Sequence, residues 1–106
     1  MENIVLALTT VPEGFDTTTL ARTLVEAGHA ACVSVLPAQV STYRWQGAIE
    51  TAREHQVVMK TTAARVPALE AAIRSVHPYD VPEFLILPVT GGGADYISWV
   101  REVLGS

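Results

Sequence analysis

An α+β domain built on a split β-α-β pattern, with one helix added at the C-terminus, is the fold that three features of this sequence predict. Short apolar runs bounded by proline and glycine alternate with two amphipathic segments in the order β-α-β-β-α-β, and a third amphipathic segment follows the last run. A length of 106 residues with 49% apolar content suits one hydrophobic core and is too short for two. We therefore expect a single domain over residues 1–106.

The first strand is the run Ile4 to Thr10, rich in Ile, Val, Leu and Thr and closed by Pro12. Asp16 is a capping-type residue. After it, Leu20, Ala21, Leu24 and Val25 fall at helical spacing and Gly28 closes the segment, which reads as the first helix. Ala30 to Leu36 and Val40 to Trp45 read as one long strand bent at Pro37. A turn at Gln46-Gly47 returns the chain along Ile49 to Thr62, with Val57-Val58-Met59 central and Thr51 to His55 as the polar outer end. The second helix carries Leu69, Ala72, Ile73 and Val76 on one stripe, takes Pro67 in its first turn and stops at His77-Pro78. Phe84 to Leu87 forms the last strand. Past the Gly91-Gly92-Gly93 loop, Asp95 is placed to cap a final helix with Tyr96, Ile97, Val100, Val103 and Leu104 facing inward. This is the ferredoxin-like order, with helices on one sheet face, so the other face needs cover from elsewhere.

Charged residues make up only 17% of the chain, against about 25% in an ordinary soluble domain. So much apolar surface on so small a domain implies self-association. Seven basic and eleven acidic residues give a net charge of −4, which excludes a phosphate-backbone binder and with it a nucleic-acid partner. The lone Cys32 forms no intrachain disulfide, and the first apolar run is too short for a membrane span or a signal core, so we expect a cytoplasmic protein with no membrane partner.

No strong catalytic pattern is present. The glycine run lacks the Lys-Ser/Thr of a phosphate loop, and Cys32 lies in a strand context where a thiol is an inert small hydrophobe. His29, Cys32, His55 and His77 show no paired metal-ligand spacing. His77 heads the stiff loop Pro78-Tyr79-Asp80-Val81-Pro82-Glu83, which brings an imidazole, a phenol and a carboxylate near one another. Tyr43 and Trp45, two apart in a strand, share one sheet face and form either an interface patch or a pocket wall. Lys60 is the one cation in a core-like strand, either an edge charge or the partner of Glu54, Glu83 or a bound anion.

At these residues the sequence resembles the CutA divalent-cation tolerance family from about Ile4 to Val100. The matching signatures are Thr9-Thr10-x-Pro12, Leu20-Ala21-Arg22-x-Leu24-Val25, Ala30-Ala31-Cys32-Val33, Ser41-x-Tyr43-x-Trp45-x-Gly47-x-Ile49-Glu50, Glu54, Lys60-Thr61-Thr62, His77-Pro78-Tyr79-x-Val81-Pro82-Glu83, Leu87-Pro88-Val89 and Tyr96-x-x-Trp99. The resemblance implies a ferredoxin-like subunit in a PII-like homotrimer, with the long hairpin reaching its neighbours, and a role in tolerance to copper and other divalent ions.

Some members resemble copper binders through a strand-one cysteine and two consecutive histidines. Here the matching positions hold Thr9, Val76 and His77, so only His77 carries over. Ala48 and Ser34 also depart from the usual pattern, with no expected effect on the fold. The resulting expectation is a non-enzymatic homotrimer with divalent metal ions as partners, which either binds copper or another divalent cation weakly through His77 and Cys32 or serves as a PII-like signalling or small-ligand scaffold. An intersubunit cleft of Tyr43, Trp45, Glu54, Lys60, Tyr79, Glu83 and Trp99 would suit a small polar or anionic ligand. The alternative expectation is a small enzyme using that cleft for acid–base chemistry through His77, Tyr79, Glu83 and Lys60.

Overall fold

One fifteen-residue strand organises the molecule. The computed structural model describes residues 3–105; Met1, Glu2 and Ser106 lie outside the described residues. Strand β1 (Ile4–Pro12) leads into helix α1 (Thr17–Glu26), then β2 (Cys32–Val35), β3 (Gln39–Trp45), β4 (Ala48–Thr62), α2 (Val66–Val76), β5 (Leu85–Pro88) and α3 (Ala94–Val103). The second half of β4 pairs antiparallel with β1 in the register Ile4↔Thr62 to Pro12↔Glu54, and its first half pairs with β3 from Gln39↔Glu54 to Trp45↔Ala48. Strand β2 lies on the other edge of β4 through Cys32↔Lys60 to Val35↔Val57, and β5 pairs with β1. The sheet order is β2-β4-β1-β5, with β3 carried on the extension of β4. That extension is a two-stranded arm, which stretches the molecule to 44 Å against 27 and 24 Å in the other directions.

Local chemistry explains the elements. The Asp16 carboxylate accepts the Thr19 backbone N–H at 3.0 Å and so caps α1, while Gly28 supplies the positive φ of 74° just beyond its end. The arm turns on Gln46 and Gly47, both at positive φ (48° and 82°), the two-residue geometry whose twist matches that of paired strands. Pro67 sits in the first turn of α2, where no N–H is needed. The segment expected as one bent strand is two: pairing to β4 lapses between Val35 and Gln39, because Pro37 has no N–H to give a ladder.

Alternation divides the sheet into two faces. Ala7, Val11, Val57 and Met59 point to the side covered by α1 and α2, where they meet Leu20, Leu24, Leu69 and Ile73 in the main core. Helix α3 does not join them. It packs Val100 and Leu104 on Ile4 and Ala31 in a second cluster, so the expected placement of every helix on one face is corrected. Two details of α3 also differ from the sequence reading. Gly93, not Asp95, is its N-cap, with Asp95 inside the first turn, and Tyr96 and Val103 stay about half exposed, leaving a narrower inward stripe. The Arg65 guanidinium ties the two layers, donating to the carbonyls of Gly28 and Leu104 at the ends of α1 and α3.

No helix among the described residues is long and apolar enough to cross a membrane. Leu69 is fully buried between α2 and the sheet. Leu69→Ala should therefore lower stability by about 3 kcal/mol, the usual cost of transfer plus a residual cavity, read as a shifted midpoint in denaturant unfolding with unchanged slope.

Candidate functional site

The face of the sheet left open by α1 and α2 is lined by every second residue of the arm. Register places Gln39, Ser41, Tyr43 and Trp45 of β3 beside Glu54, Ala52, Glu50 and Ala48 of β4, all on one side. The loop from Pro78 to Glu83 folds back over this row. Together they enclose a cleft of about 690 Å³ whose walls also include Thr10 and Gln56.

Two hydrogen bonds clamp the loop onto the strands. The Tyr79 hydroxyl donates to Glu54 Oε1 at 2.9 Å, and Gln56 Nε2 donates to Glu83 Oε2 at 2.8 Å and to the Thr9 carbonyl at 2.9 Å. Burial, then the hydrogen bond and the negative charge of Glu54, push the Tyr79 hydroxyl up to about 12. It is a proton donor fixed in place. Glu54 itself is only 7% exposed, an unusual position for a carboxylate, and no Lys or Arg is bonded to it among the described residues.

His77 holds the base of the loop. Its Nε2 lies 2.7 Å from the Thr10 carbonyl, which requires a proton on that nitrogen, and its Nδ1 accepts the Tyr79 backbone N–H at 3.1 Å. Both nitrogens are thus engaged in a neutral ring, tilted against Tyr79 with centroids 4.9 Å apart. Cys32 lies elsewhere. It pairs with Lys60, whereas the Thr10 carbonyl bonded by His77 lies level with Gln56, four residues or roughly 13 Å along β4. No group of three His, Cys, Asp or Glu side chains able to hold a metal ion occurs among the described residues. Thr9 is wholly buried on the helix-covered side with its hydroxyl unpartnered, and Val76 is half exposed at the end of α2.

Of the residues singled out from sequence, Tyr43, Trp45, Glu54, Tyr79 and Glu83 come together in the cleft. Lys60 and Trp99 do not line it. The Lys60 ammonium donates to the Tyr96 hydroxyl at 3.2 Å and lies 5.3 Å from that ring's centroid, while Tyr96 stacks on Trp99 with centroids 5.5 Å apart. Its partner is a phenol on α3 and not the expected carboxylate. That hydroxyl, ahead of the cost of burial, raises the Lys60 ammonium above its ordinary range. Sequence reasoning missed Gln56, Thr10, Glu50, Gln39 and Ser41. Once the turn is fixed at Gln46-Gly47, pairing by twos from Tyr43 and Glu54 reaches Glu50, Gln56 and Gln39, so the signal was there for most of them.

The profile of the CutA1 divalent ion tolerance proteins matches residues 5–103. The chain belongs to the CutA family. The divalent-cation tolerance protein CutA of Thermus thermophilus is 41% identical over 99% of this chain and 100% of its own. Among solved structures, CutA1 of the psychrotrophic Shewanella sp. SIB1 superposes with a TM-score of 0.92 at 34% identity, covering 99% of this chain and 98% of that one. CutA of Synechococcus elongatus complexed with a Bis-Tris molecule gives 0.87 at 39% identity, over 97% and 95% of the two chains. The ferredoxin-like CutA fold is therefore shared in full. The tilted His77–Tyr79 pair, the Glu54 carboxylate and the arm all lie within the CutA match.

The Tyr79–Glu54 bond has a measurable signature. Burial and then the Glu54 contact push the folded hydroxyl up to about 12 against about 10 in an unfolded tyrosine, so the stability gained from keeping this phenol protonated is complete below about pH 10 and is lost as pH rises towards 12. In absorbance titration, Tyr79→Phe should delete a late phenolate step, and Glu54→Gln should move that step to lower pH. A late step that survives in Tyr79→Phe would refute the assignment.

Proposed function

We propose that this CutA protein is a non-catalytic scaffold in divalent-cation tolerance, a PII-like homotrimer whose cleft receives a small ligand and whose own contact with copper or other divalent ions is weak. The cleft carries this reading. A preformed concavity with two aromatic walls and a few fixed polar groups is the usual anatomy of a small-ligand site. The Bis-Tris complex of the S. elongatus relative supports it, since that CutA takes up a small organic molecule.

Association is supported by the remainder of the open face. Leu85 and Leu87 of β5, 54% and 41% exposed, lie in register beside Leu8 and Leu6 of β1, and Val58 of β4 continues the row. An apolar strip of this extent beside an unpaired strand edge favours cover by a second copy of the chain. Weak metal contact is supported by the engagement of both His77 nitrogens and the distance to Cys32, since a tight site for a soft ion needs several free donors converging.

Acid–base catalysis has less support. Lys60 stands apart with Tyr96, and a phenol held near 12 is poorly matched to proton transfer at neutral pH.

Light scattering at micromolar concentration should return three chain masses of 11.4 kDa, and Leu85→Asp together with Leu87→Asp should split the assembly. A monomeric wild type would overturn the trimer. In calorimetry, Cu²⁺ should bind no tighter than micromolar; stoichiometric binding far below that would overturn the weak-metal reading.

A further inference from the structure

The charges around the cleft define what it can hold. Among the described residues four carboxylates line it, from Glu50, Glu54, Asp80 and Glu83, and no basic side chain does. Within the chain, the seven Lys and Arg side chains are all placed elsewhere. Arg53 points to the opposite side of the arm and pairs with Glu13 at 3.0 Å, Arg22 pairs with Glu26, Arg65 bridges Gly28 and Leu104, and Lys60 is held by Tyr96. Arg44 alternates to the far face from Tyr43 and Trp45. Arg74 and Arg101 belong to α2 and α3 and are absent from the lining.

Glu54 supplies an independent observation. It is a carboxylate more than nine-tenths buried, with Oε1 taken by the Tyr79 hydroxyl and Oε2 accepting from no group among the described residues. Oε2 is not sealed, since it is absent from the fully enclosed polar atoms, so its open side is the cleft that Glu54 lines. A largely buried carboxylate with one oxygen open to the cleft and no counter-charge bonded to it among the described residues is a natural anchor for a cation.

The type of cation follows from the walls. A metal ion needs several ligands gathered around one point, and no group of three His, Cys, Asp or Glu side chains able to hold one occurs among the described residues. Glu50 and Glu54 instead share one face of β4 four residues apart, roughly 13 Å, with Tyr43 directly across from Glu50 and Trp45 next along β3. Aromatic faces attract organic ammonium groups and pack against the carbon chain between them, and offer little to a hydrated metal ion.

We propose that the cleft is selective for elongated organic amines carrying two or more ammonium groups, with Glu54 and Glu50 as the two anchors and Tyr43 and Trp45 as the wall along which the carbon chain lies. This rests on the reading of the cleft as a ligand site and reverses the sign of ligand expected from sequence.

Spermidine is the probe, with citrate and Mg²⁺ as comparison ligands, titrated against the full-length protein in phosphate buffer by calorimetry and tryptophan emission. Spermidine should bind saturably, change Trp45 emission and weaken as salt rises. Glu54→Gln, which keeps an acceptor for Tyr79, and Glu50→Gln, at an exposed site, should each lower its affinity by about tenfold or more. Asp95→Asn, which removes one charge on α3 away from the cleft, should change it by no more than about twofold.

Equal losses in all three variants would mean attraction by net charge alone and would overturn the proposal. Citrate binding that disappears in Trp45→Leu, without spermidine binding, would overturn the amine assignment while leaving the cleft a ligand site. Binding of Mg²⁺ in competition with spermidine at Glu54 would overturn selectivity for amines. If no probe binds, both the proposal and the ligand-site reading fall, and the assembly reading stands on its own measurement.

Discussion

The length of β4 is the constraint on which the rest of the molecule depends. A strand of fifteen residues is about three times the ordinary strand length, and no single neighbour in a domain this small can pair with all of it. Its inner nine residues take β1, its inner edge takes β2, and everything beyond Glu54 has only β3 to pair with. Glu54 therefore sits where the body ends and the arm begins, opposite Pro12 on one side and Gln39 on the other. A concavity at such a junction is a geometric consequence. The sheet continues past the layer of helices, and the Pro78 to Glu83 loop turns back over the step.

That junction is held by polar contacts and not by core packing. Tyr79 and Gln56 reach between loop and strands, and His77 spends both ring nitrogens on backbone partners. Charge-assisted and part-buried hydrogen bonds of this kind are directional, so they fix the position of the loop more tightly than apolar contact would. The cost falls on Glu54, a largely buried carboxylate with one phenolic donor and no cation bonded to it among the described residues. Departures of this sort from ordinary burial rules concentrate at sites of function.

Most of the architecture was legible in the sequence because it is written in local signals: Asp16 and Gly28 around α1, Gln46-Gly47 at the turn, and Pro67 and His77-Pro78 around α2. The face shared by Tyr43, Trp45 and Glu54 was legible for the same reason, since alternation by twos needs no knowledge of the fold. Lys60 shows where such reasoning stops. It lies on the same face of β4 as Glu54, but six residues away, or roughly 20 Å, and its neighbour is decided by the placement of α3. Alternation reports the face of a residue and says nothing of what covers that face. The side chosen by α3 depends on Ile4 and Ala31 forming a second apolar cluster, a non-local contact that no spacing in the chain announces.

The open face also divides its work along β4. Towards the arm its residues are Glu50, Ala52, Glu54 and Gln56, a mostly polar row over the cleft; towards the body comes Val58, flanked by Leu6, Leu8, Leu85 and Leu87. The apolar part is the surface that gains from cover by another chain, and the polar part would lose from being dried without a partner for Glu54. Both lie on one strand and share one backbone ladder. Cover over the strip would restrain β4 at the point where the arm leaves the body, and a group bound at Glu54 would restrain the same point from further along the same face. In the proposed assembly, occupancy of the cleft and packing of the apolar strip therefore act on a single element, the stretch of β4 from Glu54 to Val58.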